Sequence, residues 1–242
     1  MPKPLRWLLS VLFIAQMYAA MAILALAFAI PAIISRNMAF AGVHTYCNWV
    51  RLSARLLIGL RSEIRGPVPQ GAVLIAAKHQ SFFDIILLCS VLPRPKFIMK
   101  RELVWAPILG QYALRIGCIP VDRGKRGAAI TKMIADAAKG TTQPGQLVIY
   151  PQGTRVPPGE VKPYKIGTGL LYDQLKQPCI PAATNVGVFW PKRSLMRYAG
   201  TAIVEFLPEI PPGLSVPDFM RQVETTVEDA SQRLMRDAAW TA

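Results

Sequence analysis

The chain has 242 residues, 52% of them hydrophobic, and a formal charge of +14; that length allows one sizeable α/β domain with an appendage. Its basic residues recur beside apolar segments along the whole chain, which suits a surface facing anionic lipid or phosphorylated substrates. There is no zinc finger, basic zipper or aromatic single-strand platform, so nucleic acid is not an expected partner. Cys47, Cys89, Cys118 and Cys179 form no Cys-x-x-Cys pair and read as reduced core thiols, neither a disulfide framework nor a metal site.

No charged residue falls within residues 7–35. As one helix this run would reach about 44 Å, longer than a hydrocarbon core of about 30 Å, and it is too long for the apolar region of a cleaved signal peptide. It cannot hold two full spans. The chain is therefore expected to attach to a membrane. The first helix either crosses at a tilt, or enters one leaflet and returns as the first arm of a hairpin. In the next segment His44, Asn48, Arg51 and Arg55 fall at i, i+4, i+7 and i+11 as one polar stripe, with Tyr46, Trp49, Val50, Leu52, Leu56 and Leu57 over much of the rest. Arginines in mid-bilayer are costly, so this second helix is expected to lie in the interface with its guanidiniums toward phosphates. The alternative is a half-buried helix of the soluble domain. Arg36, Arg51, Arg55, Arg61 and Arg65 outnumber Lys3 and Arg6, and the positive-inside tendency then places the rest of the chain in the cytoplasm, at the inner membrane. Residues 1–62 form the expected membrane-associated region and residues 63–242 the catalytic domain.

Beyond residue 63, short apolar runs alternate with helical stretches. Strands are expected over 73–77, 96–99, 118–121, 146–150, 179–184 and 201–206, and helices over 84–92, 107–116, 127–139 and 167–176. A last helix is capped by Ser215, with Phe219, Val223, Val227, Ala230 and Leu234 on one face. This alternation predicts a three-layer α/β sheet whose strand ends carry the site. The first strand is followed by Lys78-His79-Gln80-Ser81-Phe82-Phe83-Asp84. Within one helix, residues five apart lie roughly 140° apart around the axis and do not meet. With His79 before the helix and Asp84 in its first turn, the carboxylate can fold back onto the ring, fix its tautomer and leave the other nitrogen free to take a proton from a hydroxyl. The bland alternative is a capped turn with a helix-start acid.

Two more strand ends carry polar chemistry. One reads Gly117-Cys118-Ile119-Pro120-Val121-Asp122-Arg123, followed by Gly124-Lys125-Arg126-Gly127; the other reads Tyr150-Pro151-Gln152-Gly153-Thr154-Arg155. Arginine forks suit phosphate oxygens, and a helix N-terminus adds free N–H groups. Arg123, Lys125, Arg126 and Arg155 together point to a phosphate pocket, although each alone reads as a solvated strand end.

On these residues the whole chain resembles the bacterial lysophosphatidic acid acyltransferases, the 1-acyl-sn-glycerol-3-phosphate acyltransferase family of phospholipid synthesis. His79 and Asp84 match its His-x-x-x-x-Asp signature. Residues 117–123 resemble its Gly-x-Ile-x-x-Asp-Arg block. Gly153, Thr154 and Arg155 match three residues of Glu-Gly-Thr-Arg, Ile180 and Pro181 stand at its apolar-proline strand, and Lys100-Arg101-Glu102-Leu103 is similar to a Lys-x-Glu-Leu stretch between the first two blocks. The resemblance implies a glycerolipid acyltransferase-like sheet preceded by membrane-embedded helices. It implies that His79, oriented by Asp84, deprotonates a lysophospholipid hydroxyl that attacks an acyl thioester. Lys100, Arg123, Gly153, Thr154 and Arg155 would hold the phosphate, with Gln152 and Pro181 shaping the site and no metal or cofactor required. The implied acceptor is 1-acylglycerol 3-phosphate, the donor acyl-CoA or acyl carrier protein, and the surrounding partner anionic membrane lipid. Two positions depart from the pattern: Gln152 replaces a glutamate, and Lys78 precedes the histidine where many members have asparagine. Competing readings are an acyltransferase for another lysolipid, such as lyso-ornithine lipid or another lysophospholipid, and a non-catalytic module for anionic membranes. A serine hydrolase is excluded by the lack of a Gly-x-Ser-x-Gly elbow.

Overall fold

Strands β1 (Leu60–Arg65), β2 (Val73–Ala77), β3 (Pro95–Lys100), β4 (Ile119–Val121), β5 (Gln146–Ile149), β6 (Cys179–Thr184) and β7 (Gly200–Phe206) form one sheet in the order β1-β7-β6-β2-β5-β3-β4. The structure is a computed structural model that describes residues 2–122, 126–140 and 144–240. All neighbours pair parallel except β6 and β7.

Nine helices lie among the described residues: α1 (Lys3–Ala27), α2 (Ala29–Ile34), α3 (Arg36–Ile58), α4 (Phe83–Val91), α5 (Leu109–Ile116), α6 (Arg126–Gly140), α7 (Gly167–Leu175), α8 (Val186–Phe189) and α9 (Val216–Asp237), besides a single 3-10 turn over Arg101–Trp105. Strand β2 shows the layering. Alternate side chains of a strand point to opposite faces. Val73, Ile75 and Ala77 join a core with Phe40, Val50, Phe83 and Leu87 of α3 and α4. Leu74 and Ala76 join a second core with Met133, Tyr172, Phe219 and Val223 of α6, α7 and α9. The expected three-layer α/β sheet is present.

The sheet begins earlier than the sequence suggests. Gly59 takes φ 68° to end α3, and β1 runs from Leu60, so a strand straddles the division drawn between residues 62 and 63. Charged residues obscure this edge strand, which exposes Arg61 and Glu63.

The uncharged N-terminal run is two helices, not one. Pro31 lacks an N–H and its ring crowds the carbonyl four residues earlier, at Ala27, where α1 ends. Helix α1 has 25 residues, and its most apolar 18 have a mean hydropathy of 2.1, enough by length and composition to cross a membrane. It nevertheless lies along the domain. Near its start, the Ser10 hydroxyl accepts from the Arg197 N–H at 3.0 Å, and Phe13 meets the Trp190 ring edge-on at 5.4 Å. In its last turn, the Ala25 carbonyl accepts from the Tyr112 hydroxyl at 2.9 Å, and in α2 the Ala32 and Ile33 carbonyls accept from Arg115 at 2.8 and 2.9 Å. Leu8, Leu12, Ile23, Leu26, Ile30 and Ile33 remain exposed, apolar side chains of the kind that a bilayer covers.

Helix α3 divides its polar stripe between two surroundings, with His44 and Arg51 bonded within the protein. The His44 ring donates from Nε2 to the Leu92 carbonyl at 3.0 Å, and Arg51 donates to the Ser62 and Ser90 hydroxyls at 2.9 and 3.0 Å. Only Asn48 and Arg55 of the stripe stay exposed.

Candidate active site

His79 follows β2 directly, where the backbone leaves the sheet. The Lys78 N–H still donates to the Ala182 carbonyl of β6 at 2.8 Å, and the Val156 N–H donates to the His79 carbonyl at 2.8 Å. The turn is therefore held from both sides before α4 begins. Asp84, 1% exposed, lies in the first turn of α4. Its Oδ2 accepts from the N–H groups of Gln80 and Ser81, both at 2.8 Å. Its Oδ1 accepts from His79 Nδ1 at 2.9 Å and from the Tyr150 hydroxyl at 3.3 Å.

Four donors on two oxygens suit a carboxylate rather than its acid. That fixes the tautomer: Nδ1 carries the hydrogen, and Nε2 is left with a lone pair. Nε2 has no hydrogen-bond partner among the described residues, and the side chain is 12% exposed, at the rim of the domain. Tyr150 stacks on the imidazole, with centroids 3.9 Å apart and planes 15° apart. Burial, then the neighbouring Asp84 carboxylate, holds its phenol well above the usual range, so it remains a donor. Sequence reasoning gave Tyr150 no role; only its position at the end of a strand beside β2 hinted at one.

The other expected site residues sit on neighbouring strand ends. Reading across β2, β5 and β3, the carboxyl ends carry His79, the loop from Gln152 to Arg155, and Lys100. This is where open α/β sheets place their ligands. Pro181 is buried within β6, opposite Ala76 of β2. Gly153 closes a tight turn, its N–H donating to the Tyr150 carbonyl at 2.8 Å. Its φ of 68° is costly for a side chain, and an added Cβ would stand 2.8 Å from the Lys165 amine. Thr154 is half-buried and Arg155 exposed. Lys100, also exposed, lies 3.1 Å from Glu102. Arg123 lies outside the described residues, as does Lys125.

Cations missed in the sequence gather around Arg155. Lys192 donates to the Arg155 carbonyl at 2.7 Å. Its amine is pulled below the ordinary lysine range first by desolvation, then by Lys162, Arg193 and Arg155, with Glu160 opposing. Such clustering favours an anionic ligand at this rim. Lys162 comes from the loop before α7 and Lys192 and Arg193 from the loop before β7, which no local motif joins. The four cysteines are buried and unpaired, as expected.

A histidine with one ring nitrogen held by a carboxylate, at a strand end beside a cationic rim, suits transfer to or from a hydroxyl of an anionic substrate, and comparison with known proteins narrows the class. A family model described as Acyltransferase matches residues 60–185. The 1-acyl-sn-glycerol-3-phosphate acyltransferase alpha of Homo sapiens is 30% identical over 191 residues, 77% of this chain and 68% of that one. The 1-acyl-sn-glycerol-3-phosphate acyltransferase of Helicobacter pylori is 30% identical over 176 residues, 71% of this chain and 73% of that one. The Pseudomonas aeruginosa protein of the same name is 28% identical over 161 residues, which span 66% of this chain and 63% of its own length. The crystal structure of the 1-acyl-sn-glycerophosphate (LPA) acyltransferase PlsC from Thermotoga maritima has the same fold, with a TM-score of 0.79 at 18% identity over 97% of this chain and 99% of that one. The chain belongs to the 1-acyl-sn-glycerol-3-phosphate acyltransferase family.

Proposed function

We propose that this protein transfers an acyl chain from an acyl thioester to the 2-hydroxyl of 1-acylglycerol 3-phosphate, forming phosphatidic acid for phospholipid synthesis. The observation that carries this reading is the unpartnered Nε2 of His79, with Nδ1 held by Asp84, beside the cations around Arg155. Nε2 takes the hydroxyl proton as the alcohol oxygen attacks the thioester carbonyl. The tetrahedral adduct collapses, the carbon–sulfur bond breaks, and the imidazolium returns the proton to the departing thiolate. The lipid alcohol is itself the nucleophile. No enzyme side chain needs acylation, consistent with Ser81 being buried and its hydroxyl accepting from the Phe83 N–H. The donor is acyl-CoA or an acyl carrier protein, either of which brings phosphate to a basic surface.

A panel of defined lysolipids with a thioester donor tests the acceptor. Phosphatidic acid from 1-acylglycerol 3-phosphate is expected. Turnover of a phosphate-free acceptor such as lyso-ornithine lipid, without phosphatidic acid, would reject the choice. Arg155→Gln removes a charged hydrogen bond worth about 1.5–3 kcal/mol. We expect the acceptor KM to rise about 10–100-fold, with the donor KM unchanged.

The N-terminal helices attach the domain to one leaflet of the inner membrane from the cytoplasmic side. Support comes from α1, tied at both ends to a single domain with its outer face apolar. A cleft of about 510 Å³ lined by Asn48, Arg51, Leu52, Arg55, Arg61 and Ser62 lies beside exposed Trp49 and Leu56, and is suited to anionic headgroups. At about 1 kcal/mol per surface arginine, Arg55→Gln with Arg61→Gln is expected to weaken binding to anionic vesicles about thirtyfold. Co-sedimentation with vesicles containing phosphatidylglycerol measures this.

A further inference from the structure

Lys78 stands immediately before the base and is 4% exposed. Its ammonium donates to both carboxylate oxygens of Glu228 on α9, each at 2.7 Å. The same Glu228 Oε1 accepts from the Tyr164 hydroxyl at 2.9 Å and from Gln152 Nε2 at 3.4 Å. Gln152 Nε2 also donates to the Lys162 carbonyl at 3.1 Å. Burial, then Glu228, pushes the Tyr164 phenol far above its usual range, so it too remains a donor. One carboxylate thus gathers three segments: the turn carrying His79, the loop carrying Arg155, and the approach to α7.

A buried ammonium is strongly destabilising unless paired, so Lys78 can sit beside the base only while Glu228 is there to meet it. Position 152 is also where the resemblance leads one to expect a carboxylate, and here an amide points at a carboxylate delivered by a distant helix. The two departures from the family pattern therefore meet in one cluster. A lysine before the histidine demands a negative partner, α9 provides it, and the loop residue becomes a donor to that partner.

We infer that Glu228 is a positioning residue for acyl transfer, setting where the His79 turn stands relative to the loop from Gln152 to Arg155. The inference rests on His79 being the base and Arg155 holding phosphate. It acts through alignment: a reacting pair displaced by about 1 Å loses on the order of 10²-fold in rate. Glu228→Gln leaves Lys78 buried without a counter-charge and loosens the turn. Adding Gln152→Glu returns a carboxylate to within a few ångströms of the same ammonium.

The experiment uses the full chain with ¹⁵N-labelled histidine, which gives signals from only two residues, His44 and His79. In Glu228→Gln the His79 ring signals are expected to move while those of His44, on α3, stay. Gln152→Glu in the same chain is expected to move them back. In parallel, kcat is expected to fall about 10²-fold with the donor KM unchanged, and to recover to within about tenfold of wild type in the double variant. A merely structural contact would lower Tm without this reciprocal recovery. Glu228→Asp, which keeps the charge but withdraws it by one methylene, gives the same displacement on a smaller scale should the glutamine variant fail to fold. A stationary His79 signal in a folded variant overturns the inference, even where His79→Ala confirms the base. Loss of the base role, by contrast, appears in the His79→Ala assay and leaves the Glu228 displacement readable.

Discussion

His79→Ala is expected to lower kcat about 10²–10⁴-fold, the range for loss of a general base, while Tm changes little. The imidazole sits at the rim, and the core does not depend on it. Its contacts are the bond to Asp84 and the stack on Tyr150. Alanine leaves the Asp84 carboxylate with three donors, the N–H groups of Gln80 and Ser81 and the Tyr150 hydroxyl, so the turn is retained. Initial rates with wild-type lipid binding checked by vesicle co-sedimentation separate loss of chemistry from loss of attachment. Retention of more than about a tenth of wild-type turnover would remove His79 from the reaction.

The second large effect is expected from Asp84→Asn, and it has two parts. The carboxylate only accepts, and every group facing it donates. An amide turned one way points its NH2 at Nδ1. The ring must then carry its hydrogen on Nε2, the wrong tautomer for a base, for which a loss on the order of 10⁴-fold in kcat is the precedent in hydroxyl activation. Turned the other way, the NH2 faces the Gln80 and Ser81 N–H groups inside the protein, and each buried group left unsatisfied costs about 1–3 kcal/mol. The variant is therefore expected to be both slow and less stable, unlike His79→Ala. Thermal unfolding alongside initial rates measures both; equal Tm and near-normal turnover would show that Asp84 does not set the tautomer.

The pairing of His79 with Asp84 is legible in the chain because both are polar residues beside apolar runs, at a spacing that a strand-to-helix turn closes. The layers are legible for the same reason: hydrophobic periodicity reports burial directly. Other features depend on partners far away in sequence. Lys78 looks like any solvated lysine until α9 brings Glu228 across 150 positions to meet it. Tyr150 acquires its role only when β5 lies beside β2. The stripe on α3 is visible in the sequence, but half of it bonds Leu92, Ser62 and Ser90, and composition alone does not reveal which partners a polar face meets. The break at Phe28 follows from Pro31, whose effect apolarity masked. Strand β1 is an edge strand whose charged residues hide its period.

Direct attack by the lipid alcohol, with His79 as its base, is tested most directly by the thiol released when wild-type protein meets an acyl thioester with and without 1-acylglycerol 3-phosphate. Thiol is expected only when the acceptor is present, one for each phosphatidic acid formed. A burst of thiol equal to the enzyme concentration in the acceptor's absence, carried by an acylated side chain, would contradict it.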